Sequence, residues 1–401
     1  MRPPPSAHFR LLTVLTSGAV LMALAVLAAC SGGGARASSG GELPAVTAAM
    51  DAAVARNEVA GAVTAVVTPD GFAHLGAVGF ADREAGRPMA SDTLFWIASM
   101  TKPITATAVL MLQDEGRLAV DDPVAKYLPE LAGMRTADGA GDVITLRHLL
   151  THSSGLAEVT GAPRLKAHTL AELVTLVAPL PLQFVPGTRW QYCQSGINAL
   201  GRIVEVVSGK SFPDFLAERL FTPLGMRDTC FAPTPEQQAR LAKPYRFVGG
   251  GLAPASFYPD FDPTRPGRVP AANGGLFSTV TDYARFCRMI LAKGSLGGKR
   301  YLSEQAVAQM TSVQSGALVT GFTPGNGWGL GWCVVRQPQG VSAALSPDSF
   351  GHGGAYGTQV WIDPARQVAY VLMVSRANFP NSDGSDIRRD FQNAALAGLG
   401  R

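Results

Sequence analysis

Cysteine is scarce in this sequence of 401 residues. It has five cysteines, and Cys193, Cys230, Cys287 and Cys333 are scattered through the part of the chain that follows the N-terminal region. Such scattered thiols do not form the disulfide framework of a small secreted protein, so individual disulfides and buried free thiols both stay open as interpretations. None of the four has an obvious histidine partner nearby in the sequence, which disfavours cysteine catalysis.

Charge is also limited and dispersed. The formal net charge is +4, and charged residues make up 16% of the chain. This weak basic excess comes with no nucleic-acid-binding motif and no internal repeat, so the sequence argues against nucleic acid as a partner. With 47% hydrophobic residues, the chain is long enough to bury a large core in one big domain or in two modest ones.

Two well-known hydrolase signatures are missing as well. His148 and His152 have the spacing of a zinc-protease helix, but the glutamate that such a helix needs is absent and no third ligand is evident. We therefore expect no metal site, and structural histidines that form hydrogen bonds with nearby loops. The sequence has no G-x-S-x-G motif, which excludes the nucleophile turn of an α/β-hydrolase.

The first thirty residues have the layout of an export signal. Arg2 and Arg10 precede an apolar run over residues 11–26, and Leu27-Ala28-Ala29-Cys30 follows. The run is short and weakly hydrophobic for a membrane span, so we expect a secretory signal. Its last four residues resemble a bacterial lipobox, which predicts a lipid anchor on Cys30 and an outer-membrane lipoprotein that faces the periplasm. Ordinary cleavage, which would give a soluble periplasmic or secreted protein, is the alternative.

The rest of the chain divides by composition and pattern. Residues 31–42 are rich in Gly and Ser, which predicts a flexible linker before a folded part that spans 43–401. Strand patterns occur at both ends of this part and helical patterns in its middle. The order predicts an α+β fold, with an antiparallel sheet from 43–115 and 270–401, flanking helices, and an inserted, mostly helical lobe at 116–269. A functional site is then expected in the cleft between the sheet and the lobe.

The most informative segment is Ser99-Met100-Thr101-Lys102-Pro103 and the apolar run that follows it. Proline is favoured in the first turn of a helix, so Pro103 predicts a helix that begins close to Ser99, and Gly116 predicts its end. Ser99 and Lys102 then share one helix face. A lysine in an apolar setting can accept the proton of the serine, which becomes a nucleophile. The alternative is an N-cap serine beside a solvated lysine.

A tyrosine further along the chain offers a second group that can handle protons. Tyr192 lies in Trp190-Gln191-Tyr192-Cys193-Gln194-Ser195-Gly196, which follows a Pro-Gly turn. A tyrosine here is a candidate to share a proton with Lys102 and to deliver it to a leaving group. The alternative is a tyrosine that only packs at the start of a helix.

A glycine-rich segment near the C terminus offers an oxyanion hole. In Gly351-His352-Gly353-Gly354-Ala355, at the edge of a predicted strand, glycines would let a substrate approach the backbone. The N–H of Ala355 is then a candidate to pair with the N–H of Ser99 around a developing oxyanion. His352 is a candidate to polarise or position the substrate, and a histidine satisfied by neighbouring strands is the alternative.

Three motifs together resemble a known family. Ser99-Met100-Thr101-Lys102, Tyr192-Cys193-Gln194 and His352-Gly353-Gly354 are similar in order and spacing to those of the serine β-lactamase-like superfamily, which contains class C β-lactamases, DD-peptidases and family VIII esterases. The stretches 146–155 and 274–279 also look like landmarks of that family. The resemblance implies Ser99 as the acylated nucleophile, Lys102 as its activator and Tyr192 as the proton carrier. It implies no metal or organic cofactor.

Two departures from the family pattern bear on the substrate. Gln194 replaces the usual Asn and carries its amide one methylene further out, so a hydrogen bond to substrate or to Lys102 would have shifted geometry. His352 begins His-Gly-Gly in place of Lys-Thr-Gly, so the cation and the hydroxyl that hold a substrate carboxylate are missing. The sequence therefore favours an envelope-anchored esterase on small carboxylic esters. A β-lactamase or D-amino-acid peptidase and a non-catalytic binding lipoprotein are alternatives, and the choice of Lys102 or Tyr192 as general base stays open.

Overall fold

Strands near the two ends of the folded chain form its main sheet. The computed structural model describes residues 41–321, 323–379 and 383–400. The strands of the described residues are β1 (Gly61–Thr68), β2 (Gly71–Asp82), β3 (Arg87–Pro88), β4 (Phe95–Trp96), β5 (Tyr245–Val248), β6 (Gly251–Pro254), β7 (Phe277–Ser278), β8 (Ser295–Leu296), β9 (Lys299–Arg300), β10 (Asn326–Trp328), β11 (Cys333–Val335), β12 (Phe350–Gly353), β13 (Gln359–Asp363), β14 (Val368–Met373) and β15 (Arg376–Ala377). Eight of them pair in the order β10-β11-β12-β13-β14-β1-β2-β3, and every pairing in this sheet is antiparallel.

The centre of this sheet pairs the first strand of the fold with one of the last. Val63 of β1 is opposite Met373 of β14. Almost all of β1 and the whole of β14 are buried, as expected for continuous apolar segments covered on both faces. The predicted α+β fold with an antiparallel sheet and flanking helices is confirmed.

Helices cover both faces of the sheet. Those of the described residues are α1 (Pro44–Ala55), α2 (Thr101–Asp114), α3 (Leu146–Leu150), α4 (Gly161–Lys166), α5 (Leu170–Val177), α6 (Gln194–Ser208), α7 (Phe212–Leu216), α8 (Thr222–Leu224), α9 (Pro235–Ala239), α10 (Val280–Leu291), α11 (Glu304–Thr311) and α12 (Asp386–Gly398). On one face, α1 and α12 pack against each other and share a core with Trp361 and Tyr370. On the other face, α10 packs against β1 and β14. Within the described residues, no helix is long and apolar enough to cross a membrane.

The middle of the chain is mainly helical, and one of its strands pairs with a strand of the C-terminal part. Helices α3 to α9 lie between 116 and 269, where the hairpin β5–β6 also occurs. This hairpin forms a small sheet with β15, in which Arg376 pairs with Tyr245 in parallel. The described residues, from Gly41 onward, form one compact unit.

The cysteines that the structure describes are free thiols. Cys193, Cys287 and Cys333 are buried, Cys230 is partly buried, and no disulfide joins them. Burial raises the pKa of all four thiols, which keeps them protonated and unreactive at neutral pH. The predicted export signal, the lipobox cysteine Cys30 and most of the predicted linker lie outside the described residues.

Candidate active site

Ser99 and Lys102 meet at the N-terminal end of α2. A 3₁₀ turn over Ala98–Met100 leads into α2 at Thr101, so the helix begins where the proline pattern predicts. Ala98 has a φ of +45°, a left-handed conformation that strains a residue with a side chain and is often found at functional sites. Ser99 is only partly buried, and the Lys102 Nζ lies 3.0 Å from its Oγ. The predicted shared face of Ser99 and Lys102 is confirmed.

The Lys102 amine has almost no access to water. Its side chain is fully buried, and Nζ donates a hydrogen bond to the carbonyl oxygen of Asn273 over 2.7 Å. Burial lowers the pKa of Lys102 from its ordinary value of 10.5 to about 7, although the negative charge of Glu158 opposes this change. A large share of the amine is therefore neutral near pH 7, and its lone pair can accept the serine proton.

Tyr192 completes a group of three around Ser99. The Lys102 Nζ lies 4.6 Å from the centre of the Tyr192 ring, and the tyrosine side chain forms a hydrogen bond with that of Ser99. Burial raises the pKa of Tyr192 well above its usual value, more than the bond to Ser99 lowers it. The tyrosine therefore keeps its proton at neutral pH, whereas a large share of Lys102 has lost its extra proton.

Gln194 reaches the lysine only through an intermediate residue. Its Oε1 accepts a hydrogen bond from the Asn273 side chain over 2.9 Å, and the Asn273 carbonyl in turn accepts from Lys102. Of the two partners that the sequence left open for Gln194, substrate and Lys102, the lysine is reached only through Asn273. Asn273 is the residue that the sequence reasoning missed, although it directly precedes the landmark at 274–279.

A carboxylate caps the helix that follows Tyr192. Glu158 accepts hydrogen bonds from the backbone N–H groups of Gln194 and Ser195 and from the Ser195 hydroxyl. The first N–H groups of a helix have no partner within the helix and favour a negative charge, so this cap fixes the start of α6. Glu158 was also not predicted, because nothing in its local sequence points to a helix that begins 36 residues later.

Strand β12 brings the glycine-rich segment against the 3₁₀ turn at Ala98–Met100, which carries Ser99 and which we call the nucleophile turn. Contacts join this strand to Ala98–Met100, and the Thr358 hydroxyl donates to the Ile97 carbonyl over 3.3 Å. Ala355 is exposed just beyond the strand, and its backbone N–H has no partner among the described residues. It is therefore free to donate to an oxyanion. The sequence predicts that it does so together with the N–H of Ser99.

The two glycines are required for packing within the protein. A side chain on Gly353 would overlap the carboxylate of Asp383, and one on Gly354 would overlap the Thr358 hydroxyl and the backbone at Ile97. The sequence reasoning assigned these glycines to the approach of substrate. The structure instead shows that the protein's own atoms occupy this space.

His352 is buried and neutral. Its Nδ1 donates to the Gly353 carbonyl over 2.8 Å, which leaves an unprotonated Nε2 that has no partner among the described residues. Burial, with a smaller contribution from the charge of Lys102, lowers the pKa of His352 to about 3. This position therefore supplies no cation at neutral pH.

Aromatic rings surround Tyr192. The ring of His152 lies 4.5 Å from that of Tyr192, and both histidines of the site contact Trp328, with centroid distances of 5.1 Å for His152 and 5.6 Å for His352. Aromatic rings therefore make up most of the surroundings of Tyr192, and Lys102, Glu158 and Asp383 are the ionisable groups that act on this side of the site. Within the described residues, no cluster of potential ligands is arranged to hold a metal ion.

A second aromatic group, which we call the aromatic wall, adjoins the nucleophile turn. Trp96 packs against its other four members, with centroid distances of 4.7 to 6.0 Å. The wall consists of Trp96, Phe257, Tyr258, Phe261 and Tyr356. Trp96 lies three residues before Ser99, and Tyr356 directly follows Ala355. An ion pair between Arg164 and Asp260 fastens the segment that carries the middle three rings. Tyr258 is the most exposed member, at 50%.

Comparison with known proteins places these features in context. The family model described as Beta-lactamase matches residues 46–395. "Esterase EstB" of Burkholderia gladioli is 33% identical over 364 residues, which cover 82% of this chain and 89% of that protein. "Penicillin-binding protein 4" of Amycolatopsis lactamdurans is 35% identical over 314 residues, which cover 77% and 78%. The solved structure of "EstCE1, a hydrolase with promiscuous acyltransferase activity" superimposes with a TM-score of 0.75 at 25% identity and covers 88% of this chain and 97% of that one.

Proposed function

Because the chain belongs to the β-lactamase family of serine hydrolases, we propose that it is an esterase that hydrolyses small carboxylic esters through an acyl-enzyme on Ser99. The observation that carries the choice of substrate is the state of His352. Family members that act on β-lactams usually hold the substrate carboxylate with a lysine at this position, and here the side chain is a buried, neutral imidazole. A neutral ester needs no such cation, so an ester fits the site better than a β-lactam or a peptide that ends in a carboxylate.

Acylation begins at the Ser99 hydroxyl. Its oxygen attacks the ester carbonyl carbon while its proton passes to the neutral Lys102 amine, which lies 3.0 Å away. The carbonyl oxygen becomes an oxyanion that accepts hydrogen bonds from the N–H groups of Ser99 and Ala355. We assign the base to Lys102 because its pKa of about 7 allows it to be neutral at working pH, whereas Tyr192 keeps its proton.

Collapse of the intermediate breaks the bond between the carbonyl carbon and the alcohol oxygen. Tyr192 donates its proton to the departing alcohol and regains one from the protonated Lys102, to which its ring is adjacent. In deacylation, a water molecule attacks the acyl carbon and gives its proton to Lys102. The bond from the carbon to the Ser99 oxygen then breaks, and Lys102 returns this proton to the serine oxygen, which releases the carboxylic acid.

The site can be tested with three probes and one variant. We expect the purified folded part to hydrolyse p-nitrophenyl butyrate and to form an acyl adduct that intact-mass spectrometry detects, and we expect both activities to disappear in Ser99→Ala. Turnover of nitrocefin above that of the ester would replace the esterase proposal with a β-lactamase. No turnover and no mass shift with the ester, nitrocefin or a fluorescent penicillin would favour a binding protein.

We also propose that the protein is anchored in the cell envelope through Cys30. The support is the lipobox-like end of the N-terminal apolar run and the Gly/Ser-rich residues that follow it. Mass spectrometry of the mature protein from a bacterial host that processes lipoproteins is expected to find acyl chains on Cys30. A mature N terminus without acyl chains would contradict the anchor, and so would a Cys30→Ala variant that still carries lipid.

A further inference from the structure

One buried histidine holds the backbone on both sides of the Tyr192 side chain. The N–H of Gln191 donates to the carbonyl oxygen of His152 over 2.9 Å, and the N–H of Cys193 donates to its Nδ1 over 3.1 Å. Between these two bonds, the His152 ring lies 4.5 Å from the Tyr192 ring. The main chain and the side chain of His152 therefore fix residues 191–193, the segment that carries the tyrosine.

The backbone conformation of His152 makes this arrangement possible. Its φ is +59°, in the left-handed region that few residues with side chains adopt. The turn follows α3 and directs both the carbonyl and the ring of His152 toward the segment 191–193. Its side chain is also fully buried. The folded protein therefore bears both the strain of this backbone conformation and the cost of removing the ring from water.

The hydrogen bonds also fix the protonation state of the ring. A backbone N–H can only donate, so the Nδ1 of His152 must be the acceptor and the proton of the neutral ring is on Nε2. The Nε2 is buried with no hydrogen-bond partner among the described residues, in a setting made of the Trp190, Tyr192 and Trp328 rings. A charged imidazolium would lose the bond to Cys193 and have no compensating anion in this aromatic setting.

We propose that His152 is a positioning residue for the reaction, which acts by holding Tyr192 where its hydroxyl reaches Ser99. The inference rests on the proposed function, because it concerns the proton carrier of that mechanism. His152 does not touch the reacting atoms in this assignment. Its loss is expected to lower the rate of the chemical step and to leave substrate binding nearly unchanged.

The test compares two substitutions of His152 that suit its left-handed backbone. In His152→Asn, the side-chain oxygen can replace Nδ1 as acceptor, and asparagine tolerates a positive φ. In His152→Gly, the positive φ is retained but the acceptor and the ring are lost. With ethyl butyrate, whose departing ethoxide needs the proton of Tyr192, we expect kcat of the Gly variant to fall by about 100-fold with KM within about threefold, and kcat of the Asn variant to stay within about tenfold of the wild type. His148→Asn, on the short helix that precedes His152 and with its ring on Thr145, is the matched control and should leave kcat unchanged.

Coupling to Tyr192 separates positioning from general damage. In a Tyr192→Phe background, His152→Gly should cause little further loss, because the group that it positions is already absent. If the Gly variant does not fold, as judged by circular dichroism, His152→Gln replaces it, because glutamine fills the site but cannot place its oxygen at the Nδ1 position. Wild-type kcat in the folded Gly or Gln variant, an Asn variant as slow as the Gly variant, or full additivity with Tyr192→Phe would each overturn the proposal.

The rate at which a fluorophosphonate probe labels Ser99 distinguishes this proposal from the proposed function. Labelling reports the activated serine and does not depend on the choice of ester. If the wild type is labelled but hydrolyses no ester, the esterase assignment is wrong. The labelling rates of the same variants still test His152, because the Tyr192 that it holds is hydrogen-bonded to the labelled serine. If the wild type is neither labelled nor active, both proposals are overturned.

Discussion

At the scale of single residues, Lys102 combines a functional benefit with a cost in stability. Its fully buried amine has one hydrogen bond to the Asn273 carbonyl and a serine hydroxyl beside it, but no carboxylate within ion-pairing distance among the described residues. Such an environment favours the neutral amine. The same desolvation that makes Lys102 a base at neutral pH therefore opposes folding wherever the unfolded lysine is charged.

This environment predicts the pH dependence of the reaction. The proton-accepting form of Lys102 is the neutral one, so kcat/KM for p-nitrophenyl butyrate should rise with pH, with a midpoint close to its pKa of about 7. The measurement is a pH–rate profile between about pH 5 and 9, corrected for spontaneous hydrolysis. A profile that is flat through this range, or that falls with increasing pH, would contradict the assignment of Lys102 as base.

It also predicts that a catalytically dead variant is more stable. The folded-state pKa of Lys102 is below the value of 10.5 for an unfolded lysine, so its destabilising effect is fully present below about pH 7 and fades as pH rises to 10.5. The difference between the two pKa values corresponds to at most roughly 5 kcal/mol. We expect Lys102→Met to raise the free energy of unfolding by about 1–4 kcal/mol at pH 7, less the loss of the Asn273 bond. Urea denaturation at neutral and alkaline pH measures this gain, which should shrink at the higher pH.

The residues that the sequence predicts correctly are those set by local geometry. Ser99 and Lys102 are three apart on a helix whose start Pro103 marks, so their contact follows from helical spacing alone. The partner of Gln194 does not, because Asn273 arrives from a segment far along the chain. The packing role of Gly353 could not be predicted either, because it depends on the side chain of Asp383, which comes from a distant part of the chain.

At the scale of secondary structure, the start of α6 connects a helix cap to the chemistry of the site. Glu158 caps this helix, and its negative charge raises the pKa of Lys102. We expect Glu158→Gln to move the midpoint of the pH–rate profile to lower pH, because the charged form of the lysine loses its stabilising neighbour. The free energy of unfolding should fall by about 1 kcal/mol through the weakened cap.

The control for this prediction removes a carboxylate that caps another helix and does not act on Lys102. Glu172 belongs to the capping box at the start of α5, where its carboxylate accepts from the N–H groups of His168 and Thr169, and it is not among the groups that shift the pKa of Lys102. Glu172→Gln should therefore lower stability by a similar amount without moving the midpoint. A Glu158→Gln midpoint at or above that of the wild type would show that Glu158 does not act on the lysine.

The aromatic wall predicts the preference among esters. Its most exposed ring, Tyr258, is carried by a segment that the Arg164–Asp260 ion pair holds beside the nucleophile turn. We expect Tyr258→Ala to lower kcat/KM for p-nitrophenyl esters of bulky or aromatic acids by about tenfold, as expected for the loss of an aromatic contact and its buried area, with a smaller effect on the acetate. Phe80→Ala, which removes an exposed ring from β2, is the control. Equal losses for the acetate and the bulky ester would contradict a role in acyl-group selection.

At the scale of the whole molecule, the two end helices make one cover for the sheet. Helices α1 and α12 pack against each other, and Phe391 is buried among them with its ring against Tyr370. Phe391→Ala should lower the free energy of unfolding by about 3–5 kcal/mol, because the cavity lies in a core shared by both ends of the fold. Asn393→Ala, on the exposed side of α12, should change it by less than about 0.5 kcal/mol. Chemical denaturation of the two variants gives the comparison.

The overall architecture was predictable where it follows from the order of strand-like and helical segments along the sequence. Strand-like segments at both ends and helical ones between them indicated a single antiparallel sheet, and the motifs indicated its family. The parallel pairing of Arg376 with Tyr245 had no such signal. Pairings between distant short strands depend on how the larger elements pack, and two-residue strands carry too little pattern to reveal them.

The pairing of Val63 with Met373 at the centre of the sheet has a consequence for how the chain acquires its structure. Strand β1 is synthesised early, and its neighbour β14 only after nearly all of the folded part has been made. The complete sheet therefore cannot form until β14 has been made, and its central contact closes a loop of nearly the whole folded part, which has an entropic cost. We expect slow folding that starts only after the chain is complete, and nascent chains that end before β14 should remain sensitive to protease.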